Sequence, residues 1–510
     1  MISHMHGIVE PFDLHDGIVY FHDWRYVSHG GYRWTDTDGG GHGIWSPGAH
    51  PPVQFAHHDT PHGIELVSFP AERGQAVVHP GATELVIYGG SLLHDEGVYR
   101  LWYECWQGQR MGERGFDHYN VLRYAESDDG VTWRFPDLGA RADVPDAPKN
   151  VVFGAPENLR YGLHGAGVFK DPAAPAAARY KMVWMGAVSP DDFATYRAKY
   201  PSDIDPLAHE HHGGATGLCG AVSPDGLRWT VLEEPLLIQT TDTHNVCEYD
   251  PVRQTYVSYL RTWLYGRRTI GRTETADFRH FPLPEETFWP SAAMKPYDLW
   301  YVNAKTKMPG TRDYHVMFPM RWRLTHDEFT GCLATSPDNV VWTMMPGEPV
   351  LRPGDPGAWD GGGTAPGLGL AALPGGRTGL LYCGHHVPHK HPRIAPYGAL
   401  GWATWKAGRL VALRAEEVGA FVTTALTVKG RTARLNCRVP IGGHILVEVV
   451  GPDGNTVPGR SFNDCDLIYG DELDREVTWK GQAHLGIADD QPVRLRFRMQ
   501  AADLFSVRFV

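Results

Sequence analysis

The sequence predicts an all-β protein, a five-bladed β-propeller with a C-terminal β-sandwich, on three observations. Short runs of alternating apolar and polar residues, bounded by Gly, Pro, Asp and Asn, fill most of the 510 residues. One turn motif recurs before residue 417. After Glu417 the motif stops and the alternation becomes cleaner. Helical periodicity is confined to 190–200, which reads as a short helix within a loop.

The motif reads Ser127-Asp128-Asp129-Gly130-Val131-Thr132-Trp133, then Ser223-Pro224-Asp225-Gly226-Leu227-Arg228-Trp229, then Ser336-Pro337-Asp338-Asn339-Val340-Val341-Trp342. A degenerate copy runs from Thr275 to Phe281. The Asp is expected to accept backbone N–H groups, and Gly or Asn to take positive φ. The Trp is expected to pack between neighbouring sheets. Each clear copy follows an apolar run (121–125, 217–222, 331–335), so each marks the hairpin between the outer strands of a four-stranded blade.

Five blades follow in order. The first is 83–136, with strands at 85–92, 99–106 and 120–127. The second is 163–232, with strands at 165–170, 180–187 and 217–222. The third is 243–281, with strands at 245–249, 255–262 and 268–273. The fourth is 298–345, and the fifth is 357–413 with strands at 378–383 and 400–405. Residues 18–26 are expected to supply a closing strand. The predicted domains are a closing segment at 1–82, the propeller at 83–416 and the sandwich at 417–510. In the sandwich, strands fall at 421–428, 433–439, 444–450, 476–479, 493–499 and 505–510, with a hairpin turn at Pro452-Asp453-Gly454.

Composition narrows the function classes. A net charge of -12 with no basic run argues against nucleic acid. No run of 18 apolar residues argues for a membrane span, and 1–17 lacks the apolar core of a signal peptide. Seven scattered Cys without a C-x-x-C fit a reduced, cytoplasmic protein rather than a disulfide framework or a zinc site. No G-x-G-x-x-G opens a helix, so no cofactor is expected. The 27 His cluster at His57-His58, His209 to His212, and His385-His386 with His389 and His391, none with metal-ligand spacing. A homo-oligomer is left open.

The recurring turn resembles the Asp-box of sialidase-type propellers. The layout resembles the invertase and levanase group (glycoside hydrolase family 32), and the propeller alone resembles the arabinanase and xylosidase group (family 43). Four phrases are similar to family-32-like bacterial proteins: Tyr88-Gly89-Gly90-Ser91-Leu92-Leu93-His94-Asp95-Glu96, Leu101-Trp102-Tyr103, Asp242-Thr243-His244-Asn245 with Tyr249-Asp250-Pro251, and Tyr256-Val257-Ser258-Tyr259-Leu260-Arg261. The invertase nucleophile motif W-x-N-D-P-N-G is absent, and R-D-P is partly met by Lys170-Asp171-Pro172. E-C is matched by Glu104-Cys105, in the first blade rather than the third. The invertase catalytic residues are therefore not carried over.

The resemblance implies a glycoside hydrolase acting on a carbohydrate substrate, with two carboxyl groups flanking the scissile bond. Long insertions at 35–62 and 191–214 would wall off a pocket, which suits exo-action on a furanoside or short oligosaccharide. The alternatives are a phosphorylase, using Arg267, Arg268 and Arg272 for phosphate, a transglycosylase or lyase, and a non-catalytic sugar-binding propeller.

Candidate site residues lie where the first strand of each blade begins. Asp242 would be base or nucleophile, with His244 and Asn245 on sugar hydroxyls; the structural alternative is an Asx turn. Glu84 opens the first blade. Glu104, among aromatics that include Trp106, would be the general acid unless alternation turns it outward. His164 opens the second blade beside small residues. Tyr301 stands in Asp298-Leu299-Trp300-Tyr301, and Asp360 precedes three Gly, a sign of close backbone approach. Arg261 and Arg321 interrupt apolar strands, so each either pairs with a carboxylate or binds a hydroxyl. His385 is expected at the pocket rim.

Overall fold

The computed structural model describes residues 10–38, 40–42, 53–107, 120–139, 148–154, 163–208, 215–292, 294–347, 349–488 and 491–510. Nearly all regular structure is β. Pro190–Lys199 is the α-helix among the described residues, capped by Ser189 Oγ on the Asp192 N–H. No helix there is long and apolar enough to cross a membrane. The chain divides into two compact units, Pro70–Ala407 and Met1–Phe69 with Gly408–Val510.

In the unit Pro70–Ala407, antiparallel sheets follow one another along the chain. The first holds Glu84–Val86, Ser91–Asp95, Val98–Gln107, Val121–Ser127 and Val151–Phe153. The second holds His164–Lys170, Tyr180–Ala187, Thr216–Ser223 and Thr230–Val231; the third holds Val246–Asp250, Thr255–Leu264, Arg267–Thr275 and Glu285–Phe288. The fourth group is split into Asp298–Val302, Met320–Arg323 and Glu328–Gly331, and Lys305–Lys307, His315–Met317, Ala334–Ser336 and Thr343–Met344. The last holds Gly363–Leu373, Arg377–His385, Ala399–Lys406 and Glu72–Val78.

Neighbouring sheets are stitched in succession near their first strands. Ser91 Oγ accepts from Val168 N at 3.0 Å, and Gly165 O accepts from Asn245 N at 2.8 Å. Asn303 Nδ2 donates to Tyr259 O at 3.0 Å, and Thr306 Oγ1 accepts from Leu370 N at 3.1 Å. A parallel bridge from Leu368 to Ser91 then returns to the start, so the succession closes on itself.

The recurring turns show why their residues repeat. Asp129 Oδ1 accepts from Val131 N and Thr132 N, and Ser127 Oγ from Gly130 N, at 2.7–2.9 Å. The copies at Ser223 and Ser336 place the same Asp on the same two amides. Gly130, Gly226 and Asn339 take φ of +75°, +77° and +62°, and Phe278 of the degenerate copy takes +52°. The turn carbonyl then receives an aromatic donor from the preceding sheet: Trp402 on Gly130, Trp102 on Gly226 and Tyr259 on Asn339, at 2.6–2.8 Å. The motif thus ties each sheet to its neighbour as well as closing its own hairpin. Lys170-Asp171-Pro172 is part of the same joinery. Buried Asp171 accepts from Lys181 Nζ and Tyr256 OH, linking the second and third sheets.

The strand beside Ala399–Lys406 is Glu72–Val78, not the segment 18–26. Ile18–Tyr20 instead pairs with residues 506–508 in the other unit. Glu72–Val78 is polar and mostly exposed, so hydrophobic alternation cannot reveal it. The compact units accordingly divide at 69/70 and 407/408, where the sequence reading placed boundaries at 82/83 and 416/417.

The unit Met1–Phe69 with Gly408–Val510 is organised by one 18-residue strand, Pro492–Phe509. Its first half pairs with His444–Val450 and its second half with Ala433–Val439, while Val411–Val422 runs along both. Ala501, at φ +45°, stands where the partners change. Buried Phe421 stacks on Phe497 with centroids 4.7 Å apart. A separate small sheet holds Gly31–Asp36, Gly41–His42 and Val53–His58.

Candidate active site

Thr240 to Asn245 leads into the first strand of the third sheet. Thr241, Thr243, His244 and Asn245 are buried, and Asp242 alone keeps a substantial part, 31%, of its side chain exposed. The segment is clamped from behind. Asn245 Nδ2 donates to Gly165 O at 2.9 Å and to Thr243 O at 3.1 Å. Gly165 sits at φ +65°, and a Cβ there would lie 1.6 Å from Thr243 O, so only glycine permits this approach.

Three basic side chains hold Asp242. Arg261 Nη1 donates to Oδ2 at 2.7 Å, and its Nη2 to Thr240 O at 2.7 Å. His164 Nε2 lies 3.1 Å from Oδ1, and Arg268 Nη2 donates to the Asp242 carbonyl at 2.8 Å. Burial, then the charge of Arg268, lowers Arg261 to about 10, which still leaves it charged at neutral pH. Tyr88 OH lies 3.3 Å from the same His164 Nε2, and the Tyr88 ring stacks on His244 at 5.4 Å. His244 Nε2 lies 3.0 Å from Ala166 O, and burial lowers this imidazole to about 4, so it is neutral at pH 7.

Glu104 is buried under His164, with Oε1 3.8 Å from Nδ1. It accepts from Trp106 Nε1 at 2.5 Å, Asn120 Nδ2 at 3.2 Å, Gly165 N at 2.6 Å and Ala166 N at 3.3 Å. These four donors come from two sheets, so Glu104 bolts the first sheet to the second while backing His164. Four N–H donors on two oxygens suit an acceptor rather than a proton donor.

An aromatic wall stands beside this cluster. Arg268 Cζ lies 4.0 Å from the Tyr301 ring centroid, and Tyr301 meets Trp322 edge-on at 5.3 Å. Phe329 and His389 complete the wall. Lys390 lies over Trp322 at 5.1 Å and Arg393 over Trp106 at 5.7 Å. Lys390 is lowered chiefly by burial, then by the charge of Arg393. Asp327 accepts from Trp322 Nε1 at 2.9 Å and from Lys390 N. The set is therefore cation-rich: Arg261, Arg268, Lys390 and Arg393 against Asp242, Glu104 and Asp327.

The structure brings together Asp242, Glu104, Trp106, His164, His244, Asn245, Arg261 and Tyr301. Glu84 is turned to Gly81 N and Arg123 Nη1, at 2.7 and 2.6 Å, within the first sheet. Asp360 is buried and accepts from Arg73 Nη1 at 2.7 Å and Tyr382 OH at 2.8 Å. Its following glycines do mark a close approach: a Cβ on Gly362 would lie 2.1 Å from the Val387 backbone. His385 is buried, 3.1 Å from Ile87 O and stacked on Tyr397, so it joins the last sheet to the first. Burial lowers it to about 3. Arg321 lines a different cavity. Of the rival arginines, only Arg268 reaches Asp242; Arg267 donates to Asp298 O and Arg272 to Asn339 O. His209 to His212 lie outside the described residues, as do parts of the insertions 35–62 and 191–214.

No protein-family model and no curated protein matches the sequence. Solved structures do resemble the chain. One is a glycosyl hydrolase from Bacteroides ovatus, at 13% identity and TM-score 0.44, covering 68% of this chain and 96% of that one. Another, at 13% identity and TM-score 0.44 with 67% and 94% covered, comes from work on the GH130 family of mannoside phosphorylases, which contains glycoside hydrolases that target β-1,2 mannosidic linkages in Candida mannan. A third is a thermostable family-43 glycoside hydrolase, at 12% identity and TM-score 0.40, with 66% and 91% covered.

Sequence reasoning missed Tyr88, Trp322, Asp327, Lys390 and Arg393 as site residues. Tyr88 announced itself only through Gly89 and Gly90, where a Cβ on Gly89 would meet Gly367 N at 2.4 Å. Lys390 and Arg393 lie in a loop with no periodicity to read. Among the described residues, Glu248, Asp250 and His315 form a cluster with metal-like spacing. It already holds a cation: Lys305 Nζ pairs with Glu248 and lies 3.1 Å from His315 Nδ1. Burial lowers that amine to about 8.

Proposed function

We propose that the protein cleaves a glycosidic bond at Asp242, on a unit read as a five-bladed propeller with a β-sandwich beside it in sequence. The observation that carries this reading is the part-exposed carboxylate of Asp242, fixed by Arg261 and His164 next to an aromatic wall. Ion-paired to Arg261, Asp242 suits the role of base or nucleophile. His164, backed by Glu104, sets its orientation, with Tyr88 beside them. Tyr301 and Trp322 offer ring faces to the apolar C–H face of a sugar. Arg268 and His389 supply polar contacts beside them.

A second reading is supported by the excess of cations. Phosphorolysis uses phosphate in place of water as the incoming nucleophile, and Arg268, Lys390 and Arg393 would screen its charge. The two readings share Asp242 and differ in the acceptor. A panel of chromogenic pyranosides and furanosides, assayed with and without inorganic phosphate, separates them. Turnover independent of phosphate supports hydrolysis, and turnover that requires phosphate supports phosphorolysis. No turnover of any glycoside under either condition contradicts both.

A further inference from the structure

A second concave site lies on the far side of one hairpin. Strands Met320–Arg323 and Glu328–Gly331 pair Arg321 with Thr330, Trp322 with Phe329, and Arg323 with Glu328. Strand alternation therefore gives the hairpin two chemically different faces. Trp322 and Phe329 belong to the aromatic wall. Arg321, Arg323, Glu328 and Thr330 line a cavity of about 640 Å³, closed by residues of the segment 349–362 and by His386.

The lining is built for an anion. Arg321, Arg323 and Arg352 face one carboxylate, Glu328, which stands 3.8 Å from Arg323 Nη1. The lining therefore counts three arginines against one carboxylate, in a chain whose net charge is -12. Among the described residues Arg321 makes no side-chain hydrogen bond or ion pair. Thr330 is 3% exposed, yet its hydroxyl has no hydrogen-bond partner. Buried hydroxyls normally find one, so an unfilled donor in a cationic cavity points to a ligand. The opposite wall is preformed rather than loose. A Cβ on Gly361 would meet Asp355 O at 2.4 Å, and Gly362 is packed on the Val387 backbone.

We propose that this cavity binds a dianionic oxyanion of the phosphate type, free or as a sugar phosphate. An arginine-rich lining with one carboxylate suits an oxyanion of high charge. The planar forks of Arg321 and Arg323, about two residues apart on one strand face, suit tetrahedral oxygens. The Thr330 hydroxyl supplies a neutral donor. This site is separate from the Asp242 cluster and stands whatever reaction occurs there.

The test is calorimetric titration of the full chain with inorganic phosphate and with glucose 6-phosphate, against acetate at equal ionic strength. We expect saturable binding of a phosphate species, weakened about tenfold or more by Arg321→Gln. Thr330→Val, which keeps shape and removes only the hydroxyl, is expected to weaken it as well, and Arg268→Gln to leave it intact. Equal affinity for the two phosphates assigns the site to the free anion, and tighter glucose 6-phosphate to the ester. No saturable binding, equal binding of acetate, or binding lost with Arg268→Gln but kept in both Arg321→Gln and Thr330→Val would overturn the proposal.

Discussion

Asp242 and Asp360 look alike from their partners and differ in their surroundings. Each accepts a guanidinium N–H at 2.7 Å, and each lies close to the first strand of its sheet. Asp360 is 1% exposed, filled by Arg73 and Tyr382, and locks the loop that carries Gly361 and Gly362. Asp242 is 31% exposed, backed by His164 and faced by an aromatic wall. An arginine pair is thus no mark of reactivity by itself. What separates a structural carboxylate from a candidate catalytic one is whether solvent, and so substrate, can reach the carboxylate that the arginine holds.

The comparison can be broken from several sides. The largest effect is expected from Gly165→Ala, which removes the clamp under Asp242. Its Cβ would collide with Thr243 O, so a loss of about 4 kcal/mol or more is expected in a urea unfolding curve. Asp360→Asn is expected to cost roughly 2–3 kcal/mol, below the full figure for breaking a buried pair because Arg73 stays 34% exposed. Thermal unfolding reads that loss, and the fraction that remains folded is expected to keep its turnover. Stability unchanged in Asp360→Asn would erase the contrast between the two aspartates.

A third effect is set by pH. His244 and His385 are held neutral by burial, with folded values of about 4 and 3 against 6.5 in the unfolded chain. Between 6.5 and 4 the unfolded chain binds more protons, so stability falls as pH drops through that window. The expected slope is about 1.4 kcal/mol per pH unit for each histidine. Urea midpoints measured from pH 7 to pH 4.5 check it, and His244→Gln should flatten the slope by one histidine. The smallest effect, about 1 kcal/mol, is expected for Ser223→Ala, which removes the acceptor of the Gly226 N–H at 2.8 Å. It touches neither aspartate, so a thermal shift without a change in turnover is expected.

Much of the β architecture was legible because its signals are local. The Ser-x-Asp-Gly turns advertise their own hydrogen bonds, and the strands before them alternate. Glu72–Val78 was not legible, because a polar edge strand carries no hydrophobic period. The candidate site divides the same way. Asp242, Thr243, His244 and Asn245 stood out as four polar residues in a row at a strand entrance. Glu84 stood out for opening a strand and Asp360 for the glycines after it, and nothing local could say that Arg123 and Arg73 would cover them. Tyr88, Lys390 and Arg393 reach the site only through packing between sheets far apart in sequence, where no pattern within one segment can register.

The most direct test of the central claim is turnover of Asp242→Asn on the best substrate found in the glycoside panel, with its melting temperature measured beside it. The account predicts a fall of about a thousandfold or more in kcat in a protein that still folds, with melting lowered because buried Arg261 loses its carboxylate. Turnover at the wild-type rate in a folded Asp242→Asn protein would contradict it.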